Sequence, residues 1–204
     1  MKPIKIKDNL FLVQTGPIGT NTYFFNTNPV VVIDPGYGIS NFVEEECVVL
    51  LTHTHFDHIY GLKELKVQKV FVSKEDSQAL KDPEKNLSVL FSTRFTYNGA
   101  FEILQEKLEI AEISFQVIKT PGHTPGSVVY KVNDLWFTGD TIFFDSIGRT
   151  DLPGSDGKTM LETLKRLVKI FRSAREEELI LPGHMEWGTI KEVLSNNPFL
   201  KEVL

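Results

Sequence analysis

The sequence predicts an α/β fold in which two β-sheets pack face to face with helices on their outer sides. Three observations lead there. Short apolar or β-branched runs and amphipathic stretches come in two similar successions along the 204 residues. No stretch rich in Pro, Gly and Ser separates the two, so they read as one domain spanning residues 1–204. The chain is 41% hydrophobic and 24% charged, the balance of a protein that buries a substantial core.

In the first succession, residues 10–14, 22–26 and 30–33 are strand-like runs punctuated by Gly, Asn and Pro, as in antiparallel hairpins. Asp34-Pro35-Gly36 ends the third in a turn. A short helix over 39–46 is expected to lead into a buried strand at 47–51, then a helix at 59–65 and a strand at 69–72. Ser73 can cap a helix over 74–80, and Asp82-Pro83 can start another. The second succession has strands near 109–110, 114–118, 127–132 and 135–138. An amphipathic helix follows over 158–173, with Leu161, Leu164, Leu167, Val168 and Phe171 on its apolar face. A strand at 178–181 and a helix at 189–195 close the chain.

All five histidines fall in places where metal chemistry would need them. Three stand in His53-Thr54-His55-Phe56-Asp57-His58, directly after the strand at 47–51. His123 and His184 each follow a Pro-Gly pair, and Asp140 ends Trp136-Phe137-Thr138-Gly139-Asp140. Residues two apart on an extended segment share a side, so His53 and His55 can converge on one ion. Asp57 and His58, where the chain begins to turn, can address a second. Imidazole and carboxylate suit zinc, iron or manganese, whereas magnesium and calcium prefer oxygen shells.

These segments resemble the metallo-β-lactamase fold superfamily over nearly the whole chain. They are most similar to its glyoxalase II (hydroxyacylglutathione hydrolase) branch and the short bacterial relatives of that branch. The resemblance rests on residues 52–58, 121–126, 138–141, 146–154, 182–184 and 197–200. It implies a four-layer αββα sandwich of two mixed sheets flanked by helices. It also implies a first metal on His53, His55 and His123, a second on Asp57, His58 and His184, and Asp140 bridging the two. Seven ligands without a thiolate imply two divalent ions with open positions, zinc first, with iron or manganese fitting the same donors. The implied reaction is hydrolysis of a small thioester or ester by attack of a metal-bridging hydroxide, with Asp57 both a ligand and a catalytic proton relay. Once every histidine is a ligand, no Ser–His–acid or Cys–His pair remains to act instead.

Asp34 can either orient a ligand or stabilise its own turn. Arg149 stands where glyoxalase II enzymes place a basic residue that meets the substrate carboxylate. The tyrosine of that pattern is replaced by Asp151, which favours an Arg149–Asp151 pair holding the loop. Tyr60, Arg94, Tyr97 and Trp187 can line a groove or pack. Two further departures concern the substrate. Only 20 residues follow His184, so the helical glutathione-binding domain of full-length glyoxalase II is not expected, and Met185-Glu186-Trp187 replaces the usual small residues.

Other members of the superfamily define the alternatives. A persulfide dioxygenase-like oxidoreductase would hold one iron on His53, His123 and Asp140, and a metal-binding module would hold ions without hydrolysing anything. Diiron flavoproteins carry a Glu where His55 stands. A net charge of −5 disfavours a nucleic-acid partner, and with it the nuclease branch. The lone Cys47 opens an apolar strand and reads as core, in keeping with a reducing compartment. The N-terminus offers neither a signal peptide nor a membrane span, so a cytoplasmic enzyme with a small-molecule substrate is expected and export to meet β-lactams is not.

Overall fold

The computed structural model describes residues 2–203. The first sheet contains β1 (Ile4–Lys7), β2 (Leu10–Thr15), β3 (Thr20–Phe25), β4 (Val30–Ile33), β5 (Glu46–Leu50), β6 (Lys66–Val72) and β7 (Glu102–Ile103), side by side in sequence order. Its first four strands are antiparallel, and the pairings from β4 to β7 are parallel. The second sheet contains β8 (Lys107–Ile110), β9 (Ile113–Lys119), β10 (Val128–Val132), β11 (Leu135–Gly139), β12 (Leu179–Pro182) and β13 (Gly188–Thr189). They lie in the order β13-β12-β11-β10-β9-β8, antiparallel except for the parallel pair β11–β12. Both sheets are therefore mixed.

Alternation along the strands builds the layers. In β4, Val31 and Ile33 face the space between the sheets, while Val30 and Val32 face outward; in β5, Val48 and Leu50 face in and Cys47 and Val49 out. The inner layer joins Tyr23, Phe25, Phe115, Tyr130, Phe137 and Leu181 from both sheets. Outside the second sheet lies α2 (Gly157–Ser173), whose Leu164, Leu167, Val168 and Phe171 pack on Trp136 and Ile180, with α3 (Ile190–Asn196) beside it. Outside the first sheet lie α1 (Phe56–Ile59) and short 3-10 turns that supply Ile39, Ile59, Leu62 and Leu80. The result is the αββα sandwich expected from the sequence.

Several elements differ in extent. The helix expected at 39–46 is a single 3-10 turn, Ile39–Asn41, because beyond Val43 three glutamates offer nothing apolar to extend its buried face. The helix expected at 59–65 starts at Phe56, whose N–H is taken by the Asn86 carbonyl, and tightens into a 3-10 turn over Tyr60–Lys63. Ser73 accepts from the Asp76 N–H, but the following turns are 3-10, Ser77–Lys81 and Ser88–Phe91. The helix expected at 158–173 forms, capped by the Asp156 carboxylate on the Thr159 N–H. Leu161, placed on its apolar face from the sequence, is exposed; Met160 and Thr163 take the buried stripe instead. The short strands β1, β7 and β13 and the terminal turn α4 (Pro198–Lys201) add to what the sequence predicts. Among the described residues no helix is long and apolar enough to cross a membrane.

Candidate metal centre

The parallel pairs β4–β5 and β11–β12 send their carboxyl ends to one edge of the sandwich, the usual place for a site in a parallel sheet. Asp34 follows β4, His53 to His58 follow β5, Asp140 follows β11 and His184 follows β12. His123 arrives from the second sheet on the loop after β9. Backbone hydrogen bonds lace the two sheets together there: Val128 N to Thr52 O at 2.8 Å and Asn21 N to Gly183 O at 2.7 Å. Glycine is required beside the ligands, because a Cβ on Gly183 would overlap the Asp140 carboxylate and the His58 ring.

All seven residues singled out from the sequence meet at this edge. The nearest ligand atoms of His53, His55 and His123 lie within 4.8 Å of one another, as do those of Asp57, His58 and His184. The second triad is nearly equilateral: Asp57 Oδ2 is 3.1 Å from His58 Nε2 and 3.1 Å from His184 Nε2, and the two nitrogens are 3.2 Å apart. A tetrahedral ion with bonds of about 2.0–2.1 Å needs donors about 3.3–3.4 Å apart. Asp140 reaches both groups, with Oδ1 3.4 Å from His58 Nε2 and Oδ2 3.5 Å from His123 Nε2 and 3.6 Å from His184 Nε2.

His53 Nε2, His123 Nε2 and Asp140 Oδ1 are buried without a hydrogen-bond partner. Leaving such an atom unmatched costs about 1–3 kcal/mol, and native interiors avoid it. Three orphaned lone-pair atoms at one point fit a bound cation, and a nitrogen and carboxylate donor set fits zinc, iron or manganese.

Neighbouring groups fix the rings. A carboxylate only accepts, so His58 Nδ1 donates to Asp34 Oδ2 at 3.1 Å and turns its Nε2 to the centre. The Thr52 hydroxyl donates to the same oxygen at 2.5 Å, leaving its lone pair to His53 Nδ1 at 3.1 Å. Of the two roles open to Asp34 from the sequence, the carboxylate therefore serves the ligands, and it also takes the Thr52 N–H at 2.8 Å. His123 Nδ1 donates to the Arg149 carbonyl at 2.8 Å. Asp57 Oδ2 accepts from the Thr20 hydroxyl at 2.8 Å.

Two anchors were not visible in the sequence. Buried Asp76 accepts from the Thr124 hydroxyl and the Gly126 N–H, both at 2.8 Å, and so holds the loop carrying His123. Asn21 donates to the Pro182 and Met185 carbonyls on either side of His184, at 3.0 and 2.9 Å. The partners are 48 to 164 residues apart, which no local pattern reveals.

Electrostatics divides the histidines. Burial pushes His55 down to about 3, with neighbouring His123 adding to the effect, and burial also lowers His53, so both rings are neutral and present lone pairs. Burial opposes charge on His58 and His184 too, but the Asp57 and Asp140 carboxylates outweigh it and raise both. The same carboxylates would hold a divalent cation.

The centre forms the floor of a cavity of about 400 Å³. Its walls are largely apolar, including Leu87, Leu90 and Phe91 in and just before the 88–91 turn, and Ile147 and Leu152. Arg149 stands at the rim, its guanidinium paired with Asp151 through two 2.8 Å bonds, the pairing its sequence context favours. The other groove candidates lie elsewhere. Tyr60 meets Tyr37 and Phe56 edge to face and Phe95 at a tilt, Tyr97 packs against the core, Arg94 pairs with Glu84, and Trp187 lines a separate groove beside β2.

The profile of the metallo-β-lactamase superfamily matches residues 15–184, most of the chain and every residue of the cluster. The chain belongs to the metallo-β-lactamase superfamily. Among relatives in this superfamily, the probable metallo-hydrolase YqgX of Bacillus subtilis is 33% identical over 205 residues, covering 92% of this chain and 95% of that one. The hydroxyacylglutathione hydrolase GloC of Haemophilus influenzae is 30% identical over 191 residues, covering 83% and 86%. Of solved structures, the BLEG-1 B3 metallo-β-lactamase superposes with a TM-score of 0.82 at 30% identity, over 94% of this chain and 99% of that one. TTHA1623, solved in a di-iron-bound form, gives 0.77 at 30% identity over 93% and 99%. This chain is thus a metallo-hydrolase-type member of the superfamily with clustered histidines and aspartates suited to divalent metal.

Proposed function

We propose that the chain is a binuclear hydrolase of small thioesters or esters. His53, His55 and His123 would form one metal position, Asp57, His58 and His184 the other, and Asp140 the bridge, with zinc as the first expectation and iron or manganese compatible. The observation that carries this reading is the pair of converging triads joined by one carboxylate at the floor of an open cavity. Two bound cations would supply Lewis acidity for the carbonyl and bring the pKa of water towards neutrality.

The remaining chemistry belongs to the chain. Asp57 borders the cavity and its Oδ2 is held by the Thr20 hydroxyl. From that position its carboxylate would take up a proton as a water attacks and return it to the departing group. Phe56, Leu87 and Phe91 give the cavity apolar surface beside this carboxylate. The kinship with GloC supports a thioester over other carbonyl substrates. Cys47 takes no part, because burial pushes its thiol up to about 12.

Metal-loaded protein would be analysed for bound elements and assayed on an acyl thioester, lactoylglutathione, a chromogenic β-lactam and a persulfide. Near two ions per chain with thioester turnover is the expected result. One iron per chain with oxygen consumption on persulfide would overturn the proposal.

A further inference from the structure

Most of the cavity wall serves neither the metal positions nor the proton relay. Ten large apolar side chains are exposed among the described residues, and four of them ring this one cavity: Ile18, Leu90, Phe91 and Met185. Leu90 is 65% exposed and Met185 55%. Isolated exposed apolar residues are ordinary, but a contiguous set around a cleft marks a binding surface.

The backbone is braced on two sides of this cavity, at Met185 and at Leu87. Met185 adopts φ +63°, which a non-glycine residue seldom does, and its carbonyl is tied by buried Asn21. Leu87 also has φ +63° and follows buried Asn86, whose side chain bonds the Ala79 and Phe95 carbonyls and the Ser88 N–H at 2.8–3.0 Å. Two asparagines with no exposed surface thus brace the two walls. Arg149 is the one cation lining the cavity other than histidine, and Asp151 holds it. No unpaired cation among the lining residues awaits a substrate carboxylate.

We infer that this cavity selects an uncharged apolar acyl chain, with Leu90, Phe91, Ile18 and Met185 as the specificity-determining residues. The inference rests on the hydrolase reading. Leu90 and Phe91 would lie along one side of the chain and Met185 along the other, with the carbonyl at the metal-facing floor. Within the cavity a glutathione-sized leaving group would find no unpaired cation.

The test is a series of acetyl, butanoyl, hexanoyl and octanoyl thioesters of N-acetylcysteamine, an uncharged thiol, with the succinyl thioester as the anionic counterpart of butanoyl. In the metal-loaded protein kcat/KM should rise about two- to fourfold per added methylene until the cavity is full. The gain from acetyl to hexanoyl should be at least about tenfold, and succinyl should fall below butanoyl. Leu90→Asn should flatten the series; Leu161→Asn, an equally simple change on the exposed face of α2, should keep the wild-type slope. Turnover with no dependence on chain length would overturn the inference and leave the hydrolase reading intact. If no thioester is hydrolysed, the hydrolase reading fails, and calorimetric binding of N-methyloctanamide decides this one: binding weakened by Leu90→Asn supports it, and absence of binding overturns it. A wild-type dimer that Leu90→Asn dissociates would assign the patch to a second copy and also overturn it.

Discussion

Asp34→Asn is the perturbation that most directly separates ligand orientation from ligation. The carboxylate binds no ion in the proposed centre, yet it fixes His58 directly and His53 through the Thr52 hydroxyl. Those rings belong to different triads, so one substitution should weaken both metal positions. Asparagine tolerates the φ of +53° at this residue, which removes backbone strain as a confounding effect. Its carbonyl can still accept from the Thr52 N–H. Its amide must then face the Thr52 hydroxyl and His58 Nδ1, both of which donate in the native arrangement. One buried mismatch costs about 1–3 kcal/mol, and at about 2–4 °C per kcal/mol a mid-range cost lowers Tm by about 4–8 °C. If His58 escapes by moving its proton to Nε2, the nitrogen facing the centre loses its lone pair. Loss of such an orienting partner typically weakens metal binding about 10–100-fold, or about 1.4–2.7 kcal/mol. Zinc titration against a competing chelator gives the affinity, and thermal melts give the stability. Zinc affinity within twofold of wild type, with thioester turnover unchanged, would refute the reasoning.

Asp57→Ala should abolish thioester hydrolysis while the circular dichroism spectrum and cooperative melting persist, since the residue lies on the short α1 turn beside the cavity rather than in the core; near-native turnover would exclude its relay role. Cys47→Ser should keep turnover and cost roughly 1–3 kcal/mol of stability, because it buries a hydroxyl at a fully enclosed position; lost activity in a folded variant would contradict the metal mechanism. Removing metal by dialysis against a chelator should lower Tm, and zinc at a hundredfold excess over its Kd should restore about 2.7 kcal/mol per site, read by calorimetry. Asp76→Ala leaves the Gly126 N–H unmatched and frees the loop carrying His123, so both Tm and zinc affinity should fall; a drop in Tm alone would confine Asp76 to stability.

The metal-facing residues were legible because their chemistry is rare and their spacing local. Five histidines placed beside Pro-Gly turns and strand ends leave few alternatives, and the strands themselves are marked by alternation, as in β4 and β5. The cavity wall was hidden for the opposite reason. Leu90 and Phe91 sit in a 3-10 turn and Leu87 just before it, where a short apolar run carries no helical or strand period. Asp76, Asn21 and Thr20 act on partners far away in sequence, and an acid or amide before a turn looks like an ordinary turn former. Leu161 was misplaced because it borders the true stripe of α2, where a rotation of one residue exchanges it with Met160. The strands β7 and β13 are two residues long and owe their extension to a neighbouring strand, whereas the Ile-Lys alternation of β1 is a strand signal four residues long.

Each proposed metal position draws on both sheets. The loop after β5 supplies two residues to each triad, and the second sheet supplies the third, His123 or His184. Neither sheet could therefore complete either triad alone, and a full binuclear centre would form only after the two have docked. An ion joining His58 to His184 would close a loop of 126 residues that no covalent bond closes. Closing so long a loop in an unfolded chain is entropically costly, whereas the docked sheets have already brought its ends together. A full complement of two ions would then report on assembly: a nascent or misassembled chain would lack the completed centre and stay inactive, and a chelator would act fastest on molecules whose sheets separate most often.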